Sequence, residues 1–480
     1  MKSSNQPSET PGMKKTLSLW NYFTIGFGAI IGTGWVLLVG DWIILGGGPI
    51  GAIVAFLIGA LFLLPIGAVF GELTSAIPIS GGIVEYVDRT FGKNASYITG
   101  WFLVLGNGIL CPWEAIAIST LISEMFGDLL PFLRSVKLYT ILGADVYLIP
   151  TILAVAAAVY VILLNFRGAS SAAKLQSFLT KALLTGMLVA MVISLIKGSP
   201  KNILPVFTHA KGPSASTKGN GLFSGILSVL VMTPFFYAGF DTIPQQAEEA
   251  SEGLDWHKFG RVIGMALLAS GIFYVICIYS FGTIIPWTKF VKASVPALAC
   301  LKSINMILYV VMLCIATLGP MGPMNSFYGA TSRILLAMGR KGQLPATFAK
   351  VDEKTGAPRT ANAVLAILTL AGPFLGKKML VPLTNVSALA FIFSCMMVSF
   401  ACMKMRKTEP DLPRPYKVPG GKFGIALACI AGAIIVLLMI LPFSPAALNS
   451  VEWSIVIGWL LIGMILMYIS NKKGNKSQAA

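Results

Sequence analysis

The sequence predicts an all-α polytopic membrane protein with twelve transmembrane helices. Of its 480 residues, 56% are hydrophobic and only 11% are charged. Apolar runs of about 20 residues, the length that crosses a bilayer as an α-helix, recur along the whole chain. Two runs, one in each half, are interrupted at mid-span by glycines or a proline, at residues 26–35 (GFGAIIGTGW) and 234–241 (PFFYAGFD). Because unpaired backbone in lipid is costly, such paired interruptions predict discontinuous helices 1 and 6 around a cavity.

The apolar runs divide the chain into spans, and the interruptions in spans 1 and 6 lie five spans apart. This spacing predicts a five-plus-five repeat, and an odd number of spans per unit makes the second unit inverted. The predicted parts are a cytosolic tail (1–16), a core (17–405) of two five-helix repeats (about 17–197 and 222–405), a cytosolic loop (406–422), two additional helices (423–470) and a cytosolic C-terminal tail (471–480). The predicted spans are 17–39, 49–72, 98–124, 147–166, 174–197, 222–246, 260–285, 304–338, 361–375, 381–403, 423–442 and 453–470.

Basic residues predict the orientation of the bundle. With both termini in the cytosol, 25 of the 36 lysines and arginines lie in cytosolic segments and 11 lie outside. Short cytosolic loops of membrane proteins carry such an excess. We therefore expect a multi-pass plasma-membrane protein of the bacterial inner-membrane kind, with both termini inside. The first 15 residues are polar and lack a signal peptide's apolar core, so we interpret them as a tail.

Composition also excludes several classes of protein. The net charge of +17 lies in short loops between apolar spans, which favours contact with the lipid bilayer over nucleic acid. The seven cysteines are irregularly spaced in or beside apolar runs, a pattern typical of buried packing residues and not of a disulfide framework. The two histidines, His209 and His257, fall in predicted loops, so we expect no metal site. No catalytic cluster is evident, and we expect neither enzymatic activity nor a cofactor.

The interruption in span 1 has the composition of a binding site made of backbone. Gly32 and Gly34 let the helix open, and the half-helix that begins near Thr33 points free N–H groups inward, where they suit a carboxylate. The half-helix that ends near Ile30 offers unpaired carbonyls, which suit an ammonium group. The structural alternative is a glycine face, Gly28-x-x-x-Gly32, for close helix packing. The matching interruption in span 6 favours the binding site.

The interruption in span 6 adds aromatic rings and a carboxylate. Phe235 and Tyr237 precede the break at Ala238 and could close over a substrate and exclude water, or could be ordinary core aromatics. Asp241 follows directly. An ionisable residue at this depth is a functional candidate, and we count Asp241 among the substrate-binding residues, although it could also serve as the N-cap of the outgoing half-helix.

Two more ionisable side chains lie within predicted spans. Glu114 is about sixteen residues into span 3, near the middle of the membrane at about 1.5 Å per residue. It could bind a substrate amine, carry a proton or pair with a buried lysine. Lys181 in span 5 is the second candidate for proton coupling, and its alternative is to extend toward the cytosolic interface.

Four motifs, in this order and spacing, resemble those of the amino acid–polyamine–organocation superfamily of permeases. The resemblance covers roughly residues 17–420. The motifs are 28–34 (GAIIGTG), 235–241 (FFYAGFD) followed by 247–249 (AEE), 332–345 (SRILLAMGRKGQLP) with 356–358 (GAP), and 409–419 (EPDLPRPYKVP).

The resemblance implies a LeuT-like five-plus-five inverted-repeat fold that carries amino acids or amines. It implies that the Thr33 and Gly34 amides hold a carboxylate, that the Ile30 and Ala238 carbonyls receive the α-ammonium, and that Phe235 is the gating aromatic.

The sequence departs from the family pattern in two places. Many proton-coupled members carry a lysine seven residues after the glutamine matched by Gln176, and here that position is Leu183, with Lys181 two residues early on another helix face. Proton coupling through that lysine is therefore not implied. Trp35 stands where a small aliphatic residue is common.

From these observations we expect a secondary active transporter of amino acids or small organic amines that works by alternating access, as a proton symporter or an exchanger. The alternative within transport is a polyamine, amino-alcohol or cationic amino acid carrier that uses Glu114 as its amine anchor. A channel would need a continuous polar pore, whereas the deep charges are few and isolated. The identity of the substrate, the coupling ion and the oligomeric state do not follow from the sequence.

Overall fold

The computed structural model of the chain describes residues 18–79, 81–167, 169–208, 221–245, 247 and 250–478. The predicted N-terminal tail, half of the predicted loop before span 6 and Glu248–Glu249 of the second motif lie outside the described residues.

The described fold is almost entirely helical, with one antiparallel hairpin of strands β1 (Lys137–Ile141) and β2 (Ala144–Tyr147). The α-helices are α1 (Leu19–Ile30), α2 (Gly34–Leu45), α3 (Pro49–Ala76), α4 (Gly82–Phe91), α5 (Lys93–Leu121), α6 (Gly127–Leu129), α7 (Leu148–Phe166), α8 (Ala169–Lys197), α9 (Leu222–Leu230), α10 (Thr233–Tyr237), α11 (Thr242–Gln245), α12 (Trp256–Ile284), α13 (Trp287–Phe290), α14 (Pro296–Ile304), α15 (Met306–Leu318), α16 (Met321–Arg340), α17 (Arg359–Ala371), α18 (Leu380–Thr408), α19 (Lys422–Ile440) and α20 (Ser450–Gln478).

Eight helical segments of the described chain are long and apolar enough to cross a membrane, and the bent pair α1 and α2 makes a ninth if it counts as one span. Predicted span 6 is divided among the short helices α9, α10 and α11, and predicted span 9 is the 13-residue helix α17 followed by a 3₁₀ turn. The protein is therefore an all-α polytopic membrane protein, while twelve spans and the inverted repeat stay predictions.

The bundle is built around two sets of packed helices. Helix α3 packs along α12, and α5 packs along both α16 and α18. Helix α5 is the most enclosed of the candidate membrane-spanning helices, since 89% of the residues in its most apolar stretch are buried. Glycines permit the closest approaches: a side chain at Gly71 of α3 would overlap the backbone of Gly260 on α12. These contacts enclose the two interrupted spans inside the bundle.

The two faces of the bundle are closed differently. On the face where α1 begins, which we call the N-terminal face, the buried Glu72 at the end of α3 pairs with Arg406 of α18 at 2.5 Å and with Arg414 at 3.4 Å. The same carboxylate accepts the Val418 N–H at 2.8 Å. The segment 409–419, one of the four sequence motifs, is thereby fastened across this end of the bundle.

On the opposite face, which we call the hairpin face, β1 and β2 lie between α5 and α7 and cover loops of the second half. The Tyr139 hydroxyl donates to the Phe374 carbonyl at 2.6 Å. Gly376 lies close beneath Ile141 and Val146, where an added Cβ would come within 3.1 to 3.3 Å of their side chains.

Candidate binding site

The two interrupted spans touch each other at their breaks. Helix α1 ends at Ile30 and α2 starts at Gly34 with a bend of 56° between them. Helix α10 ends at Tyr237, and Gly239 follows with φ +125°. A Cβ on Gly239 would lie 2.7 Å from the Ile30 nitrogen, so glycine is required here both by its conformation and by the neighbouring backbone.

A small cavity of about 20 Å³, lined almost entirely by buried residues, lies between the breaks. That volume holds little more than one water molecule, so an amino acid would need the cavity to widen. Six of the predicted site residues line it, namely Ile30, Gly32, Gly34, Glu114, Phe235 and Ala238, together with Ala29, Leu110, Trp113, Phe236, Tyr274, Pro323 and Phe327.

Glu114 of α5 faces the start of α2. The Thr33 hydroxyl donates to Glu114 Oε2 at 2.9 Å, and Glu114 Oε1 lies 3.3 Å from the position of a Cβ on Gly32. Thr33 is the N-cap residue of α2, and the first N–H groups of a helix have no intrahelical partner and attract negative charge. A carboxylate of the protein itself therefore occupies the positive end of this half-helix. Among the described residues it forms no salt bridge, and the alternative of a buried lysine partner is not seen there.

Tyr274 of α12 serves the carbonyl ends of the two breaks, and sequence reasoning missed it. Its hydroxyl lies 3.1 Å from the Ile30 carbonyl oxygen and 3.0 Å from that of Phe236. One O–H can donate to either acceptor or be shared between them. The available signal was a hydroxyl-bearing ring at mid-span in an apolar run, but its partners lie far away in sequence.

The aromatic residues of span 6 divide into two groups. Phe235 lines the cavity, with its ring centroid 5.3 Å from that of Trp113 and 5.1 Å from that of Phe236. Tyr237 points away, and its hydroxyl donates to the Phe56 carbonyl of α3 at 3.0 Å. The ring of Phe235 therefore forms part of the cavity wall, whereas Tyr237 links span 6 to α3.

Asp241 is fully buried beside the break and is not one of the residues that line the cavity. Its Oδ1 accepts the Gly239 N–H at 3.0 Å, and its Oδ2 accepts the side-chain amides of Asn107 and Gln245, each at 3.0 Å. Direct contact between Asp241 and a substrate stays a prediction, because the carboxylate is surrounded by these three donors.

Lys181 lies away from the cavity, exposed on the surface of α8. It borders an apolar groove of about 480 Å³ formed with α15, where Thr185, Gly186 and Met312 are among the neighbours. Leu183, at the position of the family lysine, is buried. Gly319 lies between Leu183 and the span 1 break, because a Cβ on Gly319 would lie 3.2 Å from Leu183 Cδ1 and 2.8 Å from Thr33 Cγ2. The position that holds a lysine in many family members is therefore close to the span 1 break and carries an apolar side chain here.

A much larger vestibule of about 670 Å³ opens above the cavity on the hairpin face. Its floor includes Leu38, one helical turn beyond Gly34, and Ile116, two residues beyond Glu114. Its walls carry charges of both signs, Asp41, Glu124, Arg134, Asp145, Lys377 and Lys378. The cavity is therefore separated from a polar vestibule on one side by about a turn of helix.

Among the described residues, no group of three or more histidine, cysteine or acidic side chains is placed to hold a metal ion. The arrangement is instead a small buried pocket made of helix ends, one carboxylate and aromatic rings, which is the chemistry of a site for a small polar ligand with an apolar part.

Comparison with known proteins agrees with this description. Residues 17–467 match the family model described as amino acid permease, and the chain belongs to this family.

The chain is 25% identical to the branched-chain amino acid permease BcaP of Bacillus subtilis, over 97% of this chain and 94% of the relative. It is 24% identical to the methylthioribose transporter of the same organism, over 97% and 95% of the two chains. It is 28% identical to the B. subtilis aspartate-proton symporter, over 89% and 80%.

Proposed function

We propose that the protein is a secondary active transporter that moves an amino acid or a small organic amine across the plasma membrane by alternating access, with proton symport or exchange. The observation that carries this proposal is the meeting of two broken helices around a small buried cavity near a much larger vestibule. Broken helices at mid-membrane are the usual binding site of secondary transporters. Family membership supports the same class of protein.

The substrate contacts that we propose use backbone and ring surfaces. The N–H groups at Thr33 and Gly34 would hold a carboxylate, and the Ile30 and Ala238 carbonyls would receive an ammonium group. Phe235 would close the cavity. In the structure, Thr33 contacts Glu114, and the Ile30 carbonyl contacts Tyr274. A substrate must therefore displace or join these two side chains.

Helix pairing supports the proposed inverted repeat. Predicted spans 2 and 7 pack as α3 and α12, and predicted spans 3 and 8 pack as α5 and α16. The breaks of spans 1 and 6 touch through Gly239. Three spans of the first predicted repeat thus lie beside their counterparts in the second, as a two-fold relation between the repeats would require.

The second candidate is a polyamine, amino-alcohol or cationic amino acid carrier. It is favoured by Glu114, whose carboxylate stands where a substrate carboxylate would otherwise bind. Two carboxylates at one helix end repel each other, so either Glu114 is protonated when an amino acid binds or the substrate brings an amine and no carboxylate. The names of the relatives do not decide, since they include acidic, branched-chain and cationic amino acids and a sugar derivative.

Counterflow in proteoliposomes tests the proposal. Vesicles loaded with an unlabelled compound are diluted into a trace of the same labelled compound, with leucine, aspartate, arginine, methylthioribose and putrescine tested in turn. A carrier shows saturable, transient accumulation of the label. Linear, non-saturating flux would identify a channel instead. A thermal-shift screen of the same compounds selects the order of testing, because a ligand of the folded state raises its stability.

Orientation needs a separate experiment. Single-cysteine variants Ser4→Cys and Lys476→Cys on a cysteine-free background should resist a membrane-impermeant thiol reagent in intact cells and react after permeabilisation. Labelling of either variant in intact cells would place that terminus outside and contradict the predicted topology.

A further inference from the structure

The break in span 6 contains a carboxylate with an unusual set of partners. Asp241 is 0% exposed, and three N–H groups reach it, one from the backbone of Gly239 and two from the side-chain amides of Asn107 and Gln245. All three donors are neutral. In the described chain no cationic side chain forms a salt bridge with this carboxylate, although a charge at this depth is costly without a positive partner.

In the described part of the chain, each of the two side-chain amides that contact Asp241 has a hydrogen bond at its nitrogen but none at its oxygen. Asn107 is 0% exposed and Gln245 is 5% exposed, and each donates its nitrogen to Asp241 Oδ2. Their oxygens, Asn107 Oδ1 and Gln245 Oε1, are buried and accept no hydrogen bond among the described residues. Two unpaired acceptors therefore lie on side chains that both point at one carboxylate oxygen, and a buried acceptor without a donor is unfavourable.

Among the described residues, no cationic side chain forms an ion pair with Asp241. From α18 the buried Cys395 thiol lies within electrostatic range of the carboxylate. Several other titratable groups on the surrounding elements are engaged elsewhere. They are Tyr237, bonded to Phe56, Tyr274, bonded to the helix-end carbonyls, Glu114, bonded to Thr33, and Glu72, paired with Arg406 and Arg414.

We propose that Asp241, Asn107 and Gln245 form a proton-binding site separate from Glu114. A hydronium ion gives its proton to Asp241 Oδ2, which forms an O–H bond, and leaves a water molecule. The amide of Asn107 or Gln245 then turns by half a rotation, so that its oxygen accepts the new O–H in place of the N–H that it donated before. The two ends of an amide are nearly equal in shape, so this exchange needs no extra space.

Contact distances favour a proton over a metal cation. Both amide nitrogens already lie 3.0 Å from Asp241 Oδ2, which is direct hydrogen-bond contact. A sodium ion would have to be inserted between these atoms and would need several oxygens turned toward it at once. A proton requires one reorientation only.

This site is connected to the substrate cavity through the backbone. Gly239 donates its N–H to Asp241 and packs against Ala29 and Ile30, while its carbonyl accepts the Thr242 hydroxyl at 2.6 Å. A change of charge at Asp241 therefore acts on the contact between the two breaks. Coupling of this proton to transport rests on the proposed function, whereas binding of the proton does not.

Infrared spectroscopy of the purified protein, with isotope-labelled aspartate, measures the protonation directly. We expect a labelled carboxylic-acid band that rises on acidification, is lost in Asp241→Asn and is kept in Glu452→Gln. Glu452 is a matched control, since it is a buried carboxylate that accepts the Asn385 amide at 2.7 Å away from the breaks. The same band in Asp241→Asn as in the wild type would overturn the proposal. A band that responds to added sodium chloride at constant pH would overturn it in favour of a sodium site.

Gln245→Met provides a second variant if Asp241→Asn fails to fold. It keeps a side chain of similar length but removes one donor and one unpaired oxygen, so the pH dependence of the band should shift. An unshifted band together with a lower melting temperature would show that the amide is only structural and would overturn the proposal.

Transport by reconstituted Asp241→Asn separates the proton site from the proposed function. We expect accumulation driven by a pH gradient to be lost in this variant and to be kept in Glu452→Gln. Retained pH-driven accumulation would contradict coupling through Asp241. If the wild-type protein shows no counterflow of any compound, the proposed function fails, and the infrared result still decides whether Asp241 binds a proton.

Discussion

The two helix breaks are built in opposite ways. At the break in span 6 the Gly239 backbone is satisfied by its own neighbours, since Asp241 accepts its N–H and Thr242 donates to its carbonyl, while the Phe236 carbonyl shares Tyr274 with the other break. The break in span 1 depends on distant residues. Thr33 bonds to Glu114, which is 81 residues away, and the Ile30 carbonyl lies beside Tyr274, 244 residues away.

This difference indicates which break is available to a ligand. Local hydrogen bonds form wherever the segment folds, so the span 6 break keeps its shape as a unit. The partners of the span 1 break are side chains on other helices, which can move apart from it. The helix ends of span 1 are satisfied by the Glu114 carboxylate and the Tyr274 hydroxyl. The carboxylate and the ammonium group of an amino acid could take their places. We therefore infer that a substrate competes with these two side chains at the span 1 break.

The largest effect is expected for Gly239→Ala, which tests whether the span 6 break is rigid. The added Cβ would lie 2.7 Å from the Ile30 nitrogen. The backbone conformation alone costs an alanine about 1–3 kcal/mol, before any overlap. We expect loss of folded protein by size-exclusion chromatography. Gly264→Ala is the control, since nothing lies within 4 Å of its Cβ position. A stable Gly239→Ala protein would show that the two breaks do not pack as described.

Gly34→Val tests the space at the start of α2. Its Cβ would lie 2.8 Å from Phe236 Cε1, and the larger side chain would project into the cavity. Overpacking of this kind costs roughly 1–3 kcal/mol, so expression should persist while counterflow is lost. Phe236→Leu in the same protein should restore part of the transport. Normal kinetics in Gly34→Val would favour a role for this glycine in helix packing alone.

Glu114→Gln tests the side chain that competes at the span 1 break. If the carboxylate binds a substrate amine, ligands that carry an amine but no carboxylate should bind about 10- to 100-fold more weakly, because a charge-assisted hydrogen bond becomes a neutral one. If it carries a proton, counterflow should persist and pH-driven accumulation should fail. Asp145→Asn on the hairpin is the control. Unchanged affinity and unchanged pH dependence would remove Glu114 from both roles.

Tyr274→Phe asks whether a hydroxyl holds the place of the substrate ammonium. Without ligand, the variant should lose about 1 kcal/mol of stability, since a helix-end carbonyl loses a donor. A saturating amino compound should restore it, giving a larger ligand-induced thermal shift than in the wild type. Tyr237→Phe is the matched control, because its hydroxyl bonds Phe56 outside the cavity and no ligand should replace it. Equal thermal shifts in both variants would show that the ammonium group of the ligand does not replace the Tyr274 hydroxyl.

The smallest effect is expected for Lys181→Gln, which lies at neither break. Its side chain is exposed beside an apolar groove, and substitutions at such positions usually change stability by less than about 0.5 kcal/mol. We expect unchanged pH-driven uptake. Loss of that uptake would assign proton coupling to α8 and would contradict the separation of Lys181 from the cavity.

The sequence by itself determined the class of the protein and the location of the breaks. Both depend on local properties: apolar run length decides which segments enter a membrane, and the glycines at 32, 34 and 239 weaken a helix wherever they occur. The motifs around these glycines were also sufficient to indicate the permease family, which the match over residues 17–467 confirms.

Only the tertiary structure decided what each break contacts. Glu114 was recognised as a deep charge, but its partner could be an amine, a proton or a lysine until α5 was placed against Thr33. Asp241 was predicted among the substrate contacts, and the structure surrounds it with Asn107 and Gln245. Tyr274 carried no local signal of its partners. A hydrogen bond between residues far apart in sequence depends on how the helices pack, and periodicity and composition within one helix contain no information about that packing.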